Sequence, residues 1–224
     1  MLDNKLRMRF CKTGNARFIS HLDLMATMRR ALLRAGIALK YSEGFNPHPY
    51  MSVALPLPVG YGSVCELMDI GVAGELISML AAGNLLARIN TALPAGIEVL
   101  DIYTSQRKFN DIRWVGISGE FHYDNDLIPE AAQRLTERFG AKSIVISKKT
   151  KRGASDIDIA PFIKDVEFHQ NGKISIKAKI YAQNPTISPV NLLSALFGEY
   201  SHLSPDFASF RRTEIFDMEM NMFR

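Results

Sequence analysis

The stretch Arg17–Leu57, RFISHLDLMATMRRALLRAGIALKYSEGFNPHPYMSVALPL, holds a complete helix-to-strand passage and sets the pattern for the chain. Ser20, followed three positions later by Asp23, has the form of a helix N-cap with an acidic partner, and a run rich in Leu, Met, Ala and Arg then carries on to Gly36. At 100° per residue, Leu24, Met25, Met28, Ala31, Leu32 and Ala35 gather on one side of this helix, while Asp23, Thr27, Arg30 and Arg34 gather on the other. One face is expected to pack and the other to be basic. His21 shares the direction of Met25, Met28 and Leu32, which predicts a half-buried position at the rim of the packed face. After Gly36 a short strand is expected over Ile37–Tyr41, and then the segment Ser42-Glu43-Gly44-Phe45-Asn46-Pro47-His48-Pro49 forms a stiff loop. Pro47 and Pro49 fix their own φ angles and push Asn46 and His48 toward extended geometry, so the loop is ordered at little further entropic cost.

Outward from this stretch, Leu6–Lys12, Tyr50–Leu57 and Ser63–Val72 read as extended segments. A helix from about Glu75 to Leu93, punctuated by Gly83, leads to a strand over Ile97–Tyr103. The order is β-α-β-β-α-β, the ferredoxin-like plan. Past a linker of low apolar content near Thr104–Asp111 the same order recurs. Trp114–Phe121 is extended, Leu127–Phe139 helical and Ser143–Ser147 extended, followed by a basic loop. A hairpin of Asp165–His169 and Lys173–Ala182 turns at Asn171-Gly172, a helix covers Pro189–Tyr200, and a strand covers Phe210–Met218. The predicted fold is α+β, two tandem ferredoxin-like units with antiparallel sheets, residues 1–105 and 106–224. The duplication rests on element order, because the residues themselves show no convincing repeat.

The chain's 224 residues, 47% hydrophobic and 22% charged, leave room for a proper core. A formal charge of +4 and a pI near 9.1 lean basic enough to fit a nucleic-acid partner without requiring one. Cys11 and Cys65 are the only cysteines and stand far apart, which suits free thiols in a reducing cytoplasm. Two distant cysteines do not supply the three closely spaced ligands of a radical-enzyme iron–sulfur cluster. No segment has signal-peptide character or about 18 uninterrupted apolar residues, so a soluble cytoplasmic protein without membrane contact is expected. No phosphate-loop, dinucleotide or metalloprotease motif occurs, and no cofactor or metal site is predicted.

Four clusters are candidate sites, each with a structural reading beside the functional one. His21, Asp23, Glu43 and His48, with Arg17 and Tyr41 nearby, could ligate a divalent metal, act as acid and base, or serve polar binding; the spacing matches no standard metal motif, and binding is favoured. Arg29, Arg30 and Arg34, with Lys12, Arg17 and Lys40, form a phosphate-contacting stripe or simply a solvated face. Arginine forks match phosphate, and the adjoining Phe45 and Tyr50 offer rings on which a base can stack. Lys148, Lys149, Lys151 and Arg152 make a cationic loop, with Arg107, Lys108 and Arg113 in the linker and Arg211-Arg212 near the C-terminus as further positive charge. The Gly- and Pro-rich turn Pro56–Ser63 reads mainly as a turn.

The series RFISHLDLMATMRRALLRAG, YSEGFNPHP, PLPVGYGS and ELMDI resembles the signature of the bacterial radical SAM-linked proteins. The motifs are specific over about the first hundred residues and looser beyond. In that family the domain stands alone or is fused behind a radical S-adenosylmethionine enzyme with a cobalamin-binding-like region, often near genes for a ribonuclease E/G-type enzyme and ribosomal proteins. The resemblance therefore implies a radical SAM enzyme as partner, while charge and architecture suggest RNA. The expected function is an RNA-binding accessory protein that presents tRNA or rRNA to that enzyme, with no DNA partner and no catalysis of its own. Its expected RNA-binding residues are Arg17, Arg29, Arg30, Arg34, Tyr41, Phe45, Asn46, His48, Lys148, Lys149, Lys151 and Arg152. Two rivals stay open: a metal-independent endoribonuclease using His21 and His48 as base and acid, and a protein-docking module that touches no RNA.

Overall fold

The computed structural model describes residues 5–73, 84–124, 129–150 and 153–224. The chain is α+β and divides into two compact units, residues 1–109 with Arg224 and residues 110–223.

In the first unit the elements are β1 (Lys5–Lys12), α1 (His21–Arg34), β2 (Met51–Val53), β3 (Gly62–Gly71), α2 (Leu85–Ala92) and β4 (Ile97–Tyr103). The strands lie in the order β4-β1-β3-β2 with every neighbouring pair antiparallel. Alternation along β1 sends Leu6, Met8 and Phe10 to one face, where each is fully buried against Leu24, Met28 and Leu32 of α1 and Ile89 of α2. Burying each such side chain contributes roughly 1.5–3 kcal/mol. The helix starts as its cap residues dictate: the Ser20 hydroxyl accepts from the Asp23 backbone N–H at 3.2 Å and donates to the Asp23 carboxylate at 2.7 Å. Its C-terminal end is held from the other helix, since the Arg88 guanidinium donates to the Ala35 carbonyl. Arg34 in turn donates to the Ala92 carbonyl at 2.6 Å, placing a cation at the negative end of α2.

The opposite face of β1 carries Lys5, Arg7 and Arg9. Arg7 is fully buried there. Its guanidinium grips Asp69 of β3 through two bonds of 2.7 and 3.0 Å, donates to Ser105 Oγ and the Arg107 carbonyl, and lies 4.5 Å from the Phe109 ring centroid. The segment after β4 thus covers this face of the sheet.

The second unit comprises β5 (Trp114–His122), α3 (Ala131–Phe139), β6 (Val145–Thr150), β7 (Gly153–Asp158), β8 (Ile163–Gln170), β9 (Ile174–Tyr181), α4 (Pro189–Ser194) and β10 (Phe207–Phe216). Its sheet runs β10-β5-β9-β8, again antiparallel throughout, while β6 and β7 pair in a separate two-stranded sheet. Val115, Ile117 and Phe121 of β5, Ile174, Ile176 and Ile180 of β9, and Leu135 of α3 are buried.

Several expected elements are shortened or replaced. Ile37–Tyr41 is no regular strand: it touches its neighbours through two isolated bridges, Leu39 to Val72 and Tyr41 to Pro49, while Met51–Val53 pairs regularly with β3. The helix expected over Glu75–Leu93 is seen as Leu85–Ala92, residues 75–83 lying outside the described residues; the helix expected over Leu127–Phe139 is seen as Ala131–Phe139, residues 127 and 128 lying outside them. The helix from Pro189 stops at Ser194, since Phe197 is extended with φ −75° and ψ 161°, and a 3-10 helix follows over Gly198–Leu203. Of the basic segment expected as a loop after Ser147, Lys148 and Lys149 belong to β6 and pair with Ser155 and Ala154 of β7, while Lys151 and Arg152 lie outside the described residues.

Candidate nucleic-acid interface

The loop after Tyr41 is closed by its own backbone. The Ser42 N–H donates to the His48 carbonyl at 2.9 Å, and the His48 N–H donates to Ser42 Oγ at 2.9 Å. Below this clasp Tyr41 bridges to Pro49, and the Tyr50 N–H donates to the Lys40 carbonyl. Gly44 takes φ +117°, a conformation that side-chain-bearing residues rarely adopt, and so lets the chain reverse between the two anchored ends. The result is a pinned projection with Phe45 at its tip, at 110% relative exposure. Glu43, Asn46 and His48 are exposed around it, and Tyr41 and Tyr50 at the stem are each 39% exposed.

His21 is exposed, not half-buried as its wheel position suggests. Side chains on a helix lean toward the N-terminus, so at the first position no preceding turn lies beneath the ring. Asp23 is engaged with Ser20. Among the described residues no set of three His, Cys, Asp or Glu side chains is grouped as metal ligands would be, so His21, Asp23, Glu43 and His48 do not form such a centre.

Along α1, Arg29 and Arg30 are exposed and make no hydrogen bond or ion pair with described residues. Arg34 is exposed but is engaged by the Ala92 carbonyl. A shallow groove lies beside them, lined by Thr27, Arg30, Arg34, Ala92, Leu93 and Pro94. Arg17 stacks over the Phe18 ring at 4.7 Å, with its Nε buried and unpartnered. In the second unit Lys148 donates to the Thr186 carbonyl at 2.6 Å. The Lys149 side chain and all of Lys151 and Arg152 fall outside the described residues.

Sequence reasoning missed the exposed apolar side chains next to this surface, Phe18 at 55% and Leu22 at 77% exposure. Leu22 stands off the packed face by the same 100° rule that sorted the rest of α1, and that was the signal available. Arg7 was also missed, because a lone basic residue in an alternating strand gives no hint that it will be buried. Around it, burial pushes the Tyr103 phenol above its ordinary pKa, opposed by the nearby Arg7 charge. Burial likewise lowers the pKa of Lys12, opposed by the charge of Glu66.

Residues 5–189 match the family described as "Uncharacterized protein conserved in bacteria (DUF2344)". The chain belongs to that family. The DUF2344 match takes in the loop at Phe45, the basic helix and the β6–β7 hairpin. None of the curated proteins matches. Among solved structures, a chain of "Crystal Structure of a Cbf5-Nop10-Gar1 Complex" aligns over 94% of this chain and 48% of its own length, at 10% identity and a TM-score of 0.49. This chain thus spans about half of that one. An unknown protein from Galdieria sulphuraria aligns over 93% of this chain and 96% of its own, at 11% identity and a TM-score of 0.25.

Proposed function

We propose that the chain is an RNA-binding accessory protein, a duplicated ferredoxin-like pair in design, that presents tRNA or rRNA to a radical SAM modifying enzyme. The strand orders β4-β1-β3-β2 and β10-β5-β9-β8 support the duplicated plan. The observation that carries RNA binding is Phe45, a phenyl ring held entirely in solvent on a hydrogen-bonded loop. Leaving it exposed forgoes roughly 1.5–3 kcal/mol of burial, which a partner recovers by stacking on the ring. Arg29 and Arg30, uncommitted within the described chain, supply planar cations for phosphate. The radical SAM partner follows from the sequence resemblance, and a cytoplasmic setting goes with it.

The test is a titration of the purified protein into labelled bulk tRNA and rRNA over a range of salt, followed by anisotropy, with the same samples run on a gel. Intact RNA is expected, bound with a log–log salt slope near −0.7 per phosphate contact. The slope should shrink by about 1.4 in an Arg29→Ala, Arg30→Ala variant. No binding at low salt would remove the RNA reading and leave protein docking. Metal-free cleavage lost in His48→Ala would replace the adaptor with a ribonuclease.

A further inference from the structure

The second unit has a hollow on the face of its sheet. Register places Gly116 and Ser118 of β5 opposite Lys179 and Lys177 of β9, and Ser118 opposite Arg211 of β10. These residues, with Thr213, Phe216, Asp165 and Glu167, line a depression of about 460 Å³. The corresponding face of the first unit's sheet is filled by the Arg7–Asp69 pair and covered by Ser105 and Phe109.

Three features build the hollow. Its floor is a glycine: a Cβ at position 116 would stand 2.9 Å from Thr213 Oγ1 and 3.5 Å from the Phe216 ring. Its two walls are both broken by bulges, one in β10 between Arg212 and Glu214 and one in β8 between Lys164 and Glu167. Bulges re-aim side chains and bend a strand away from flat pairing. The second contains Asp165 at φ +49°, the left-handed region that a residue with a side chain enters at a cost.

The charges are unequally committed. Lys179 is held by Asp165 at 2.6 Å and lies 5.2 Å from the Phe216 ring centroid. Lys177 and Arg211 are exposed and have no hydrogen bond or ion pair with described residues, although Glu167 sits opposite Lys177 in the ladder. Two free cations of different shape and two hydroxyls from Ser118 and Thr213 match a phosphodiester. Phe216, which lines the hollow, adds aromatic surface to it.

The geometry points to this hollow as a second RNA contact, a subsite in which Arg211 and Lys177 hold a backbone phosphate of a single-stranded segment laid across β10, β5 and β9. It rests on the RNA reading above and locates a contact on the other unit. Sheets that carry rings and cations on an open face bind unstacked single strands rather than duplex.

The experiment titrates the full chain into a labelled twelve-nucleotide poly-uridine and, separately, into bulk tRNA. The wild type should bind the oligonucleotide. Arg211→Ala with Lys177→Ala should weaken that binding roughly tenfold and reduce the salt slope by about 1.4. Arg211→Glu with Lys177→Glu should weaken it further, with a thermal melt to confirm folding. Oligonucleotide binding unchanged in the double variant would overturn the subsite. So would a wild type that binds tRNA but not the oligonucleotide, and this result leaves the adaptor reading intact. Binding of neither RNA would overturn both.

Discussion

At the scale of single residues, two side chains show how opposite fates follow from position. Arg7 loses all contact with water, and its charge is tolerated because Asp69, Ser105 and the Arg107 carbonyl satisfy its N–H groups. Arg7→Ala should destabilise the chain by about 3 kcal/mol in urea unfolding, because among the described residues Asp69 would keep only Lys5 as a partner. Phe45 is the converse. Phe45→Ala should change stability by less than about 0.5 kcal/mol yet weaken RNA binding by about 1–3 kcal/mol, a split read by pairing a thermal melt with an anisotropy titration. Tyr123 gives a pH signature. Its hydroxyl donates to the Leu203 carbonyl at 2.9 Å, and burial, aided by the charge of Asp206, pushes its pKa up to about 12. The folded value lies above the unfolded one near 10, so the stabilisation is complete below about pH 10 and is lost as pH rises toward 12. Tyr123→Phe should flatten that alkaline loss, measured as unfolding free energy against pH.

At the scale of elements, α1 was legible almost to the residue because its cap and period are local, and β4 has the bounds expected of it, Ile97–Tyr103. Ser20 and Asp23 announce the cap, and the 3.6-residue period of Leu24, Met28, Ala31 and Leu32 announces the buried face. Ser20→Ala should cost about 1 kcal/mol, seen as a lower urea midpoint. Ile37–Tyr41 misled because β propensity describes a residue's fit to a pleated surface, while the partner strand decides whether a ladder forms. The β6–β7 hairpin was not foreseen, since Gly153–Asp158 carries little apolar alternation. Its base is pinned by Asp158, whose carboxylate accepts from the backbone N–H groups of Ile144 at 2.8 Å and Ala160 at 3.0 Å. Those bonds, Ile144 first, hold its pKa below the usual range. Stability from Asp158 is therefore present above about pH 4 and lost as pH falls through the lowered value. Asp158→Asn should melt below the wild type at pH 7, with the gap closing in acid.

At the scale of the molecule, the α+β class followed from element order, whereas the register of each strand pair could not be read from the residues because long-range pairing leaves no local mark. The candidate site divides the same way. The Phe45 loop was visible in Gly44, Pro47 and Pro49, whereas the hollow around Arg211 required the register of three strands. The net charge of +4 is modest, so affinity should depend on where the uncommitted arginines stand more than on bulk attraction. On the proposed reading RNA lies along the Phe45 loop and over the hollow at Arg211. Photocrosslinking to thiouridine-substituted RNA, followed by mass spectrometry of the attached peptides, tests it most directly. Crosslinks within Tyr41–Tyr50 and within β10 are expected. Efficient recovery of RNA with crosslinks only elsewhere, or none above an ultraviolet-free control, would contradict it.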